Sequence, residues 1–501
     1  MKRLAGLDHV KAGVRLPAFA PDEHGSGIVH LGLGAFHRAH QAAYTDNALA
    51  AAGGDWRIVG VSLRGTATAA ALNPQNGLYT LIERGATGTS ARIIGSISRV
   101  LTAAQGTTGI LETMADRSTR IVSLTVTEKA YGIDRAKRTI DRSHPAIDAD
   151  LADPRHPAGV LGLIVEALRL RRQAGIPPFT VLCCDNLPEN GALLRAGVVS
   201  FADAIDAELG LWIGQNVSFP STMVDRITPA ATEETLAEAR RLTGCEDHAA
   251  IETEPFSQWV IEDDFPLGRP HWEAGGAIFV SDVAPYERMK LRMLNGTHSM
   301  LAYAGFLSGC THVRDVMAAP ALARLVARHL QAAAATLEPL AGIDFGDYTR
   351  QLTERFSNPA IAHETYQIAM DGTEKLPQRL LKPAVELLDK DGDIRPFAFA
   401  VAAWMRYCLG RRDDGSAYAL RDPLEARIRN LLAGVDDKDA AAVAGALHAL
   451  PGLFPQELSR SQTWRRAVER ALSAMLETTM GEAIRREVRA MEPSSNMPGA
   501  E

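Results

Sequence analysis

A lysine, an asparagine and a histidine fall within nine residues in Lys290-Leu-Arg-Met-Leu-Asn295-Gly-Thr-His298. Together they offer a general base, an amide donor for a developing alkoxide and an imidazole. Apolar Leu291, Met293, Leu294, Met300 and Leu301 interleave with the polar positions and no proline interrupts, so the segment reads as an α-helix. At about 100° per residue, Asn295 lies about 140° and His298 about 80° from Lys290, with Glu287 about 60° away in the same sector. Lys290 and His298 are then ~12 Å apart along the axis, roughly the length of a six-carbon chain with its functional groups. Such a helix suits the wall of a polar substrate site. A solvated helix face carries the same pattern, and the rest of the chain decides between the two.

A second motif carries nucleotide chemistry. Gly32-Leu-Gly34-Ala35-Phe36-His37-Arg38-Ala-His40-Gln41 follows the apolar run Gly27–Leu31 and opens a helical stretch through Leu49. Two glycines permit a tight turn and close backbone approach to a pyrophosphate, which the helix start favours through its N–H groups. His37 replaces the third glycine of the usual fingerprint, and Arg38 is placed to help hold phosphate. His37 and His40 have metal-compatible spacing, but no third ligand lies nearby, so no metal site is expected. The second strand ends Val61-Ser-Leu-Arg64-Gly65-Thr66, without the acidic residue that binds a ribose 2′-hydroxyl. NAD is expected, with NADP left open.

These motifs sit in two halves of different character. Up to residue 281, β-rich runs (Gly27–Leu31, Arg57–Val61, Arg120–Thr127, Phe179–Cys184) alternate with helical stretches such as Pro157–Ala174. This predicts an α/β, doubly wound, Rossmann-like domain over 1–281, with Leu78–Glu83 and Ala91–Val100 as an added antiparallel pair. From 282 to 501 the strand signal ends. Helical segments follow at Ala319–Leu337, Gln378–Leu388, Pro396–Leu409, Ala440–Leu450 and Trp464–Met491, predicting a mainly α-helical second domain and a loose tail over Pro493–Glu501.

Composition narrows the function classes. With 501 residues, 46% hydrophobic and 23% charged, the chain reads as a two-domain globular protein. A net charge of −7 argues against a general nucleic-acid or membrane-surface binder. No signal core and no spanning apolar run is seen, and the five scattered cysteines suit reduced thiols, so the cytoplasm is expected. Cys183 and Cys184 are adjacent in a strand and should point to opposite faces. No coiled coil or interface stripe appears, so no oligomeric state is assigned.

The assembled string resembles the mannitol dehydrogenase family of long-chain, polyol-specific dehydrogenases and reductases. The resemblance rests on Gly32–Gln41, Ser123-Leu-Thr-Val-Thr-Glu128, Cys184-Asp-Asn186-Leu-Pro-Glu-Asn-Gly191, Met223-Val-Asp225-Arg-Ile-Thr-Pro229, Glu254–Asp263 and the Lys290–His298 segment, in order over almost the whole chain. It implies metal-independent hydride transfer between a secondary alcohol and a nicotinamide cofactor. By motif position Lys290 matches the catalytic lysine, Asn186 and Asn295 the asparagines that stabilise the reacting oxygen, and His298 a substrate-binding histidine. Asp225 and Glu287 match carboxylates lining the site or its proton path, and Glu128 falls where the family approaches the cofactor. A lysine base working near pH 8 must lose roughly 3 kcal/mol of its preference for the ammonium form, which burial and a cationic nicotinamide both supply.

Within the family, Met289–His298 and His363–Arg379 resemble the fructuronate reductase (D-mannonate oxidoreductase) branch. A hexonate carboxylate calls for a bidentate cation, and Arg379 with Lys375 is the expected pair. Arg292, about 200° from Lys290, should face away. The resemblance therefore implies a sugar-acid substrate, D-mannonate or D-fructuronate, with a mannitol- or arabinitol-type polyol as the alternative. A catalytically silent nucleotide-binding regulator is the reading from another class, and the intact Lys290, Asn186, Asn295 and His298 count against it.

Overall fold

The computed structural model describes residues 2–127 and 130–491. Glu128, Lys129 and the tail Pro493–Glu501 lie outside the described residues. The chain divides into two compact units, the first ending at Ala284 and the second starting at Pro285.

The named strands of the described residues all belong to the first unit. They are β1 (Ser26–Leu31), β2 (Arg57–Ser62), β3 (Tyr79–Gly85), β4 (Gly88–Ile94), β5 (Ile97–Thr102), β6 (Ile121–Leu124), β7 (Ile133–Asp134), β8 (Thr139–Ile140), β9 (Thr180–Cys183), β10 (Thr222–Asp225), β11 (Ile251–Thr253), β12 (Gln258–Glu262) and β13 (Ile278–Val280). A parallel sheet runs β5-β2-β1-β6-β9. Its chain order reverses between β1 and β6, the point at which open α/β sheets bind ligands beyond their carboxyl ends.

Both faces of this sheet are apolar, as a parallel sheet covered on two sides requires. Val29, Leu31, Val122, Leu124, Val181 and Cys183 pack with the Thr108–Ala115, Val160–Gln173 and Asn190–Ile205 helices. Ile28, Ile58, Ile121, Leu182 and Cys184 join the opposite core with Trp259 and Trp272. Cys183 and Cys184 thus lie on opposite faces.

Ala91–Val100 is not one strand. β4 pairs with β3 as a hairpin, whereas β5 joins the edge of the parallel sheet beside β2. Gly95 and Ser96 make the break: the Gly95 N–H donates to Asp46 Oδ1 at 2.8 Å and Ser96 Oγ to the Ala42 carbonyl at 2.7 Å.

In the second unit the described residues form helices and turns. Trp464–Met491 is two helices, Gln462–Glu477 and Met480–Arg489, because Thr479 is extended and caps the second by accepting the Glu482 N–H at 3.3 Å. A larger departure concerns Lys290–Gly296. This segment is π-helical, continuing as an α-helix only over Thr297–Leu307. A second π segment, Pro377–Leu381, packs against it. Bonding i→i+5 rather than i→i+4 widens the turn, so residues five apart, Lys290 and Asn295, lie little more than one turn from each other. The π turn brings them closer to one face than the α-helical angles would.

Candidate active site

In the first unit the glycine turn follows β1 at the sheet's switch point. Gly32 has φ +91°, and a Cβ there would lie 2.2 Å from the Thr125 carbonyl oxygen, so only glycine fits. Gly34 is exposed, and the space a Cβ would take holds nothing nearer than the Gly32 oxygen at 3.8 Å. Open backbone followed by the short Ala35–Ala39 helix is what close approach of a pyrophosphate requires. Ala35 and Phe36 are half-buried beside it.

Two residues of this motif face inward. His37 is fully buried and stacks on His30 with ring centroids 3.4 Å apart, so its side chain packs beneath the turn. Arg38 corrects its expected role: the guanidinium donates to the Ala249 carbonyl and, at 3.3 Å, to the Gly34 carbonyl. It ties the turn to the body of the unit, with two of its five N–H donors on backbone carbonyls there rather than on a phosphate. His40 Nε2 contacts the Gln258 carbonyl at 3.1 Å.

Asn186 lies in the loop after β9, which is held at several points. Asn190 Nδ2 donates to the Asp185 and Thr222 carbonyls at 2.9 and 2.8 Å, and its Oδ1 accepts the Thr222 N–H at 2.9 Å. The Asp185 carboxylate accepts from Tyr131 Oη and from the Val126 N–H at 3.1 Å, linking this loop to the one after β6. Burial pushes the Asp185 pKa up to about 6. Asp225 ends β10 and is buried; next to it, Arg226 pairs with Glu83 at 2.6 Å and donates to the Glu254 carbonyl.

In the second unit Lys290, Asn295 and His298 lie on the π segment and its α-helical continuation. Lys290 and His298 are buried, Asn295 and Glu287 half-buried. His298 lies tilted against Phe356 at 4.8 Å and edge-on to His363 at 5.3 Å. Burial first, then the charges of His363, Arg355 and Arg379, hold its pKa well below the usual value, so its imidazole is neutral. Arg292 is engaged elsewhere, in an ion pair with the half-buried Glu386 at 2.6 Å and on the Thr336 carbonyl at 2.8 Å.

Arg379, on the second π segment, reaches Ser299 Oγ at 3.2 Å and the Asn295 carbonyl at 3.4 Å. It therefore sits beside the Lys290–His298 stretch. Lys375 differs from expectation: its ammonium rests on the Met370 and Ile368 carbonyls at 2.5 and 3.3 Å, with Asp371 at 3.7 Å. That lysine braces its own turn and leaves Arg379 as the cation with donors to spare. Ser299 and His363 were not singled out from the sequence. His363 opens the stretch that resembles the hexonate branch, and that was the signal for it.

The family comparison bears on both units. Residues 26–274 match the mannitol dehydrogenase Rossmann domain and residues 282–476 the mannitol dehydrogenase C-terminal domain. The chain belongs to the mannitol dehydrogenase family. Among its relatives, D-mannonate oxidoreductase of Escherichia coli (strain K12) is 46% identical over 464 residues, covering 92% of this chain and 95% of that protein. Pseudomonas fluorescens mannitol 2-dehydrogenase, solved as a ternary complex with NAD and D-mannitol, is 37% identical with a TM-score of 0.80, covering 97% of this chain and 99% of that one. A D-sorbitol dehydrogenase solved in substrate-free form is 34% identical with a TM-score of 0.90, covering 97% and 100%. The family's two-domain organisation, a Rossmann domain followed by a helical domain, is the one seen here.

Proposed function

We propose that this protein is an NAD(H)-dependent secondary-alcohol dehydrogenase that interconverts D-mannonate and D-fructuronate, with Lys290 as general acid/base. The observation that carries the substrate class is Arg379: a buried-side guanidinium with unspent donors, 3.2 Å from Ser299 Oγ, beside the segment that bears Lys290, Asn295 and His298. A planar guanidinium matches a carboxylate with two parallel hydrogen bonds. The relative named D-mannonate oxidoreductase supports the same reading.

Gly32 and Gly34, with the turn through Ala35 and Phe36, would hold the coenzyme's pyrophosphate. A nicotinamide held there would supply the hydride-transfer chemistry. In oxidation, Lys290 Nζ takes the proton of the reacting hydroxyl, and the Asn295 amide donates to the oxygen as negative charge develops there. His298, being neutral, orients a substrate hydroxyl by hydrogen bonding rather than by charge. Asn186 and Asp225 carry the roles the resemblance gives them, a second amide donor and a carboxylate near the proton path. In reduction Lys290 returns the proton. A lysine acid/base needs no metal to take up or return the proton.

A neutral polyol is the second reading, favoured by the similarity to the mannitol 2-dehydrogenase solved with NAD and D-mannitol. Steady-state oxidation of NADH at 340 nm with D-fructuronate, D-tagaturonate and D-fructose, and NADPH in parallel, separates the two. Fructuronate ahead in kcat/KM by about a hundredfold, about 2.7 kcal/mol, is the expected result. Fructose ahead overturns the hexonate reading.

A further inference from the structure

His30 is the polar anomaly of the parallel sheet. It stands in β1, fully buried between apolar neighbours, one residue before the strand's end. Its Nδ1 is 2.8 Å from Ser123 Oγ and its Nε2 is 2.8 Å from Thr125 Oγ1. Thr125 Oγ1 in turn donates to the Gly32 carbonyl at 3.0 Å, and Ser123 Oγ lies 2.8 Å from the Gln41 side chain. His37 stacks on the His30 ring. The chain of contacts thus runs from the first glycine of the dinucleotide turn, across the switch point, into the core.

Counting protons fixes the direction of every bond. The Thr125 hydroxyl has one proton, and the Gly32 carbonyl can only accept, so that proton goes to Gly32. The contact with His30 Nε2 must then be an N–H donated to Thr125. Full burial pushes the His30 pKa down to about 3, so the ring carries a single proton and Nδ1 is an acceptor. Ser123 must donate to Nδ1, and its proton is no longer free for Gln41. Gln41 therefore presents its Nε2, not its Oε1, to Ser123. With the amide the other way round, Gln41 Nε2 and both His37 ring nitrogens are buried without a partner. Turned end for end, Gln41 donates to Ser123 and leaves Oε1, an acceptor, in the place of the unpartnered Nε2.

We propose that His30, as the Nε2–H tautomer, is the positioning residue of the dinucleotide turn: it orients the Thr125 hydroxyl so that Thr125 holds the Gly32 carbonyl. The turn needs that hold because Gly32 sits at φ +91° directly against the Thr125 backbone, with no side chain of its own to anchor it. The relay runs Gln41 to Ser123 to His30 to Thr125 to Gly32 with each group donating once, and it contains no net charge to oppose or attract the coenzyme. Its function is geometric. This inference rests on the dinucleotide reading of the turn.

The test uses the intact protein with three variants. Thr125→Val keeps the shape and removes the hydroxyl, Thr125→Ser keeps the hydroxyl, and His30→Gln removes the ring. NADH binding is followed by quenching of protein fluorescence. Thr125→Val should raise the NADH Kd by about tenfold, the effect of one hydrogen bond lost at the turn, while Thr125→Ser stays within about twofold. Nitrogen-15 spectra of the histidine-labelled apoprotein, assigned by the signal lost in His30→Gln, should show His30 protonated on Nε2 from pH 6 to 8. A Thr125→Val protein that binds NADH as tightly as the unaltered one overturns the proposal, as does a His30 protonated on Nδ1 or on both nitrogens. Failure of the unaltered protein to bind NADH would instead overturn the dinucleotide reading, and this proposal with it.

Discussion

A Cβ added to Gly296 would lie 2.8 Å from the Arg379 carbonyl oxygen, inside the closest approach that real Cβ atoms make. The two π segments meet at this point, and the obstacle is backbone, which cannot swing aside. Gly296→Ala must therefore push Arg379 away from Asn295 and Ser299. We expect KM for the hexonate to rise roughly 10- to 100-fold, the usual result of a displacement near 1 Å, with NADH affinity unchanged. Steady-state kinetics alongside NADH titration checks it. An unaltered hexonate KM would show that the crossing does not set the Arg379 position.

Arg379→Met removes the guanidinium while keeping much of the apolar stem. On the hexonate reading, kcat/KM for fructuronate falls by about a hundredfold, about 2.7 kcal/mol, while slow turnover of fructose changes little. Side-by-side progress curves decide this. An equal loss on both substrates would make Arg379 a structural residue.

Lys290→Met abolishes the proton acceptor without adding a charge. A positioned acid/base contributes on the order of 10²–10⁴ in rate, so kcat should fall by that factor with NADH binding retained. Single-turnover absorbance at 340 nm reads the chemical step directly. A loss below tenfold would assign the proton transfer to another group.

Acid should destabilise the fold before its exposed carboxylates titrate. Burial lowers the pKa of His30 to about 3 and of His329 to about 4, and lowers those of His37, His298 and His363 as well. The unfolded chain takes up these protons below about pH 6.5 while the folded chain does not, so stability present above that pH is lost as pH falls toward 4. Asp46 and Asp185, raised by burial to about 6, and Asp150, raised by burial as well, act in the opposite sense, but with His448 also lowered by burial they are three against six. The melting temperature should fall between pH 7 and 5. His329→Leu should lessen the fall by removing one such proton, about 1.4 kcal/mol per pH unit. An identical fall in the variant would locate the acid sensitivity elsewhere.

Much of the first unit is legible in sequence because buried parallel strands declare themselves as short β-branched runs. Gly27–Leu31, Arg57–Val61 and Phe179–Cys184 differ from β1, β2 and β9 by a residue or so at their ends. Boundaries that local polarity does not mark are not legible. Ala91–Val100 contains only Gly95 and Ser96 as a break, and their bonds to Asp46 and Ala42 are long-range facts. The π turns are illegible for a similar reason: a 3.6-residue period fits Lys290–Leu301 well enough, and nothing in residue type marks the extra residue. Arg38 and Lys375 look alike as free cations in a sequence. Only their carbonyl partners, Ala249 and Gly34 for one, Met370 and Ile368 for the other, show them occupied. His30 is legible only as an oddity, a lone imidazole in an otherwise apolar strand, because its partners Ser123 and Thr125 lie far along the chain.

A π turn depends on how many residues it holds more than on which apolar ones they are. Lys290–Gly296 carries one residue beyond what an α-helix would place between the same bonded partners. Deleting Leu291 or Met293 would leave the segment just as greasy and just as helical, yet it would draw the wide turn in to an α turn and change the angle at which the side chains between Lys290 and Thr297 leave the axis. Exchanging either residue for another apolar one leaves that angle alone. The stretch behaves like a reading frame, indifferent to many spellings and intolerant of a change in length.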